Sequence, residues 1–191
     1  MGKVYYINYL NKKKVNERKI KSIIDAYKIL KTQYVDTLLI DCLNSESLEK
    51  AIERAATARD FNSKKHSHQN LIQNSTLSKF ADAILDKIDQ IRTVKSFDDL
   101  ISMVQSCKVK GIGPLAIYDT AQRIGCYLEI YPDKIYLHSG TRTGAEILLG
   151  PIKGNYIMPN QLPQPFQIKD LSASEIEDIL CIYKDRLSTC V

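Results

Sequence analysis

The chain lacks any Cys-x-x-Cys pair, and its five cysteines are an odd number without metal-ligand spacing. That argues against a disulfide framework and against a common zinc site. Reduced thiols in a cytoplasmic protein are the expectation. No apolar run approaches the roughly 20 residues needed to span a bilayer, so no membrane partner is expected. Met1-Gly2-Lys3 leads into a mixed apolar and polar run rather than a signal peptide. Tyr6 and Ile7 stand where a myristoylation signal wants Ser or Thr. There is no internal repeat and no linker long enough to divide domains, so residues 1–191 are read as one domain. Nothing asks for a cofactor or a metal, and nothing fixes the oligomeric state.

What is present is an ordinary globular balance: 191 residues, 44% apolar and 26% charged. The net charge of +5 favours an anionic partner only modestly. Tyr5, Tyr6 and Tyr9 near the start are read as packing groups. Lys12, Lys13, Lys14, Arg18, Lys19 and Lys21 make the following stretch the most basic part of the chain. It is an auxiliary phosphate-binding face or, the preferred reading, a solvated helix surface.

Apolar residues at helical spacing predict a helix over 16–31, with Ile20, Ile23, Ile24, Tyr27 and Leu30 on one face. The run Leu38-Leu39-Ile40 is a strand or a buried helix, which periodicity cannot separate. Asn44 and Ser45 are candidate N-caps for a helix carrying Leu48, Ile52, Ala55 and Ala56. A third amphipathic helix is expected over 76–92. Ser96-Phe97-Asp98-Asp99 reads as a capping box opening a helix over 97–106. Tyr127–Tyr131 and residues 134–138 have the Tyr and Ile content of extended segments, which suggests a small β-hairpin near 127–138. Thr141 or Ser139 is expected to cap a helix over 145–149. A loop with four prolines follows, and Ser172-Ala173-Ser174-Glu175 opens a closing helix. The fold class is therefore mostly α.

The segment 58–69 holds two of the three histidines and no apolar stripe. Arg59, Lys64, Lys65 and His66 are candidates to touch phosphate or to serve an active site, against a solvated loop. His66 and His68 are two apart and on a helix would point to different faces, which argues against a two-His metal site. His138 could act as an acid or base near neutral pH, and Arg142 could grip a phosphate. A buried His138 and a surface Arg142 are the alternative.

The stretch Lys108-Val109-Lys110-Gly111-Ile112-Gly113-Pro114 reads as a tight turn between two helices, with the motif spanning about 97–125. Its glycines let backbone approach another molecule closely. The amides opening the second helix favour an anion, and Lys108 and Lys110 add charge. Leu115, Ala116, Ala121 and Ile124 are expected to form the apolar face of that second helix.

These residues resemble the helix-hairpin-helix motif of DNA-binding proteins, through the Gly111-Ile112-Gly113 core and Thr120-Ala121 after it. Residues 76–150 partly resemble the helix-hairpin-helix DNA glycosylase superfamily. That resemblance implies DNA as partner and cleavage of an N-glycosidic bond after base extrusion. It implies Asp133 as the catalytic carboxylate, with His138 as a second candidate. The lysine of bifunctional members is replaced by Leu115, so a monofunctional DNA-repair hydrolase is implied. The alternative is a non-catalytic DNA-binding module. Lys108, Lys110, Gly111, Ile112, Gly113, Arg142, Arg59, Lys64, Lys65 and His66 are the expected DNA contacts.

Overall fold

The computed structural model describes residues 15–34 and 36–191. Among them the fold is mostly helical with a small two-stranded antiparallel sheet, as the sequence led us to expect. In chain order the helices are α1 (Glu17–Gln33), α2 (Thr37–Leu43), α3 (Leu48–Thr57), α4 (Asn74–Leu85), α5 (Ile88–Ile91), α6 (Phe97–Ser106), α7 (Pro114–Leu128), α8 (Ser139–Leu149), α9 (Ala173–Ile182) and α10 (Lys184–Leu187). The strands are β1 (Ile135–Tyr136) and β2 (Tyr156–Ile157). Among the described residues two compact units form, one within residues 34–133 and one from residues 15–33 together with 134–191. Tyr5, Tyr6, Tyr9 and Lys12–Lys14 fall outside the described residues.

In the unit of residues 34–133, α3 packs against α2, α4 and α7. Its buried face is largely alanine: Ala51, Ala55 and Ala56 join Leu48 and Ile52. Such short side chains let neighbouring helices come close. The N-cap of α3 is Ser47, which accepts from the Lys50 amide, rather than Asn44 or Ser45. Those two residues instead close α2: the Asn44 amide donates to Ile40 O, and Ser45 Oγ donates to Asp41 O. The ambiguous run at 38–40 is helical, opened by Asp36, whose carboxylate accepts from the Leu39 amide. The long helix expected over 76–92 is two, α4 and α5, with Asp86 and Lys87 between them. Helix α6 has the expected bounds, and Ser96 caps it by accepting from the Asp99 amide. The α6–α7 pair is locked by Phe97 against Tyr118, edge to face at 5.9 Å between centroids.

In the other unit, α1 turns Ile20, Ile23, Ile24 and Tyr27 onto a core that includes Leu148, Phe166, Ile176, Ile179 and Leu187. Leu30, expected on the same face, is exposed. The first strand lies in the window expected for extended chain, and it pairs with a strand drawn from the proline-rich loop, Ile135 opposite Ile157. Tyr127 and Leu128 are not extended but form the last residues of α7. Helix α8 starts six residues earlier than expected, with His138 as its N-cap residue. It packs along α9, where Gly144 has no room for a side chain: a Cβ there would lie 2.1 Å from Leu180 O. The capping box of α9 is present in full, with Ser172 and Glu175 each bonding the other's backbone amide.

Candidate functional site

The turn between α6 and α7 has the geometry its glycines predict. Gly111 has φ +98°, a conformation open to glycine and strained for other residues. The Ile112 amide donates to Val109 O and its side chain is buried, which pins the turn to the core. Gly113 has extended backbone and opens α7 without a side-chain cap. A Cβ placed on Gly113 would meet nothing within 4 Å, so the space over the helix start is open. Lys108 and Lys110 are both exposed beside it. In the first turn of α7, Pro114 has no N–H and the Ile117 amide donates to Gly113 O, which leaves the Leu115 and Ala116 amides at the positive end of the helix dipole. Ala116, Ala121 and Ile124 face the core as expected, whereas Leu115 is 38% exposed on the outer side of that first turn.

The loop 58–73 packs on α7 through His68 and Gln69. Helix α3 stops at Ala58, whose φ is +55°. Arg59 and Lys65 then pair as an isolated antiparallel bridge, and the His66 amide donates to Ala58 O. Arg59 Nη1 is spent on Ser63 O, and Lys65 Nζ on Ile72 O and Asn74 Oδ1. Those two cations hold the loop, while Lys64 is exposed. His66 is the cap residue of a short 3-10 turn over Ser67–Gln69, its Nδ1 accepting from the His68 amide at 3.3 Å. Because this segment is not an α-helix, the two histidines do not point apart. Their rings meet edge to face, with centroids at 4.8 Å.

Both imidazoles reach toward Asp119 in the second turn of α7. His68 Nδ1 lies 3.0 Å from Asp119 Oδ2, and Gln69 Nε2 donates to the same oxygen at 2.7 Å. Arg123, one turn further along α7, donates to Gln69 Oε1 at 3.3 Å and to Ala55 O at 3.4 Å. Its guanidinium is 3.9 Å from Asp119 Oδ2. Asp119, Gln69 and Arg123 are buried, and His68 is exposed. Burial pushes the Asp119 carboxyl up, but the His68 hydrogen bond, the Arg123 charge and the Gln69 hydrogen bond outweigh it and hold it below 3.8. His66 is held below 6.5 by its own burial and then by the Arg123 charge. The chemistry available is therefore an ionised, oriented carboxylate against imidazole nitrogens, with one imidazole open to solvent. His66, His68 and Asp119 are also a set that could hold a metal ion. A rise of 1.5 Å per residue puts Asp119 about 7.5 Å along α7 from Pro114, on the hairpin half of the helix.

Asp133 stands elsewhere. Helix α7 is 15 residues long, or about 22 Å by the same rise, and Asp133 follows its far end. It lines a groove of about 330 Å³ with Lys95, Ser96, Phe97, Asp98, Glu129, Ile130 and Tyr131. Three carboxylates against one lysine make that groove acidic in balance. In the other unit, His138 precedes α8. Arg142 donates to Ile152 O at 3.2 Å and Gly154 O at 2.7 Å, which ties down the loop after α8.

The residues missed in the sequence are Gln69, Asp119 and Arg123. The available signal was Asp119 and Arg123 at i and i+4 on the face of α7 that also carries buried Ala116 and Ile124, where charge is costly without a partner. No family model matches this chain, and neither a curated protein nor a solved structure shows significant similarity to it.

Proposed function

We propose that this chain binds DNA through the phosphate backbone, at the Gly111-Ile112-Gly113 turn, without reading sequence. The observation that carries the reading is the open space over Gly113 at the start of α7, in a turn that also carries exposed Lys108 and Lys110. A phosphate oxygen in that space meets unpaired helix amides and the positive end of the dipole. Contacts of this kind set affinity and register but carry no base information. Binding rather than base release is the stronger reading, because Asp133 sits beyond the far end of α7 among Asp98 and Glu129.

Gly113→Val tests the binding reading. The backbone there is extended and the space is empty, so valine costs little folding stability while its branched side chain occupies the phosphate position. Losing hydrogen bonds to a charged group costs about 1.5–3 kcal/mol, or roughly 10-fold to 100-fold in DNA affinity. A folded Gly113→Val protein that binds DNA like the parent would remove the turn from the interface. Base release is tested separately with Asp133→Asn. If Asp133 is catalytic, that variant binds DNA as the parent does and releases base at least ~10²-fold more slowly; equal rates exclude it.

A further inference from the structure

We infer that His66, His68 and Asp119 bind one divalent first-row transition-metal ion. Two imidazoles and a carboxylate are the donor set such ions take, with zinc and ferrous iron the usual occupants of two-His, one-carboxylate sites. Their ligand atoms already lie within 4.8 Å of one another. Bonds of about 2.0–2.1 Å require neighbouring ligand atoms roughly 3.3 Å apart. The His68–Asp119 pair stands at 3.0 Å, and only His66 has to close in.

The surroundings fit that use. Asp119 Oδ2, the oxygen that faces His68, is also held by Gln69 and approached by Arg123, an arrangement in which outer hydrogen bonds orient the ligating carboxylate. His68 is exposed, so the ion has a path in from solvent and open positions on that side. When the metal enters between His68 Nδ1 and Asp119 Oδ2, any proton on Nδ1 is displaced and the neutral ring carries its one proton on Nε2. The weak bond from the His68 amide to His66 Nδ1 is given up if that nitrogen becomes the ligand. Nothing in this site uses a thiolate, which separates it from the buried cysteines. The inference stands apart from DNA binding, since none of its residues belongs to the Lys108–Gly113 turn.

The test is titration of the untagged, metal-stripped full chain with zinc chloride by calorimetry, and with cobalt chloride by visible absorption. The parent is expected to take up one ion per chain with micromolar or tighter affinity, with a cobalt spectrum free of thiolate charge-transfer bands. His66→Gln and His68→Gln should each weaken binding at least ~10-fold while circular dichroism shows the helical content retained. Asp119→Asn leaves Arg123 buried without its carboxylate and can fail to fold, so the two histidine variants decide. No uptake by the parent overturns the inference, as does uptake unchanged in both histidine variants or a cobalt spectrum dominated by thiolate bands.

Discussion

Gly111 and Gly113 stand two residues apart and serve different ends. Gly111 is required by its φ of +98°, and a side chain there would press on Thr76 Cγ2 at 3.3 Å. Gly113 is required by nothing in the fold, since its backbone is extended and its surroundings are empty. A glycine that the fold does not require, at a helix start that follows two exposed lysines, is what the proposed phosphate contact uses. Glu175 shows the opposite case, a charged residue wholly explained by structure. It pairs with Lys31 at 2.6 Å and caps the Ser172 amide at 2.8 Å. Burial raises its pKa, but the Lys31 hydrogen bond and those from Ser172 outweigh that and hold it below 4.5. A carboxylate with a depressed folded-state pKa stabilises above its unfolded pKa and stops doing so as pH falls through the folded one. Thermal unfolding of Glu175→Gln against the parent should therefore show a full stability gap near pH 7. The gap should close as pH drops below about 4.5 through the lowered folded value. A gap independent of pH would contradict that assignment.

At the scale of elements, the α8–α9 contact rests on small residues. Gly140 and Gly144 lie one turn apart on α8 and face Cys181 and the Leu180 carbonyl. Gly144→Ala puts a methyl 2.1 Å from backbone that cannot turn away, so the helices must separate. Overpacking of this kind costs about 1–3 kcal/mol, and denaturant unfolding should read a loss in that range. No loss would mean that the two helices are not held at this spacing. Elements with local signals were legible in the sequence. Ser96 and Ser172 announced α6 and α9, and the 3.6-residue period of Ile20, Ile23, Ile24 and Tyr27 announced α1. Elements decided by distant partners were not legible. Strand β1 pairs across a loop with residues 156–157, and α2 is too short for its apolar run to show a period. The turn between α6 and α7 was legible because two glycines and a proline within four residues punctuate the chain. The His–Asp cluster was not, because His68 and Asp119 lie 51 residues apart in sequence and His66 departs from the helical geometry that spacing arguments assume.

For the whole molecule, the net charge of +5 is small, so long-range attraction alone does not make this a DNA-binding chain. Three candidate cations are spent internally: Arg59, Lys65 and Arg142 all donate to backbone carbonyls of their own units, as does Arg123. The exposed lysines of the hairpin and Lys64 remain for an anionic partner. Backbone binding then has a small and countable electrostatic footprint. The most direct test is the salt dependence of duplex DNA affinity for the parent and for the Lys108→Ala/Lys110→Ala protein. Each phosphate contact contributes a slope of about −0.9 in log affinity against log salt. The account predicts a clear negative slope for the parent, with the double variant shallower by about 1.8 for the two contacts removed. A parent slope near zero, or an unchanged slope in the double variant, would contradict backbone binding at the hairpin.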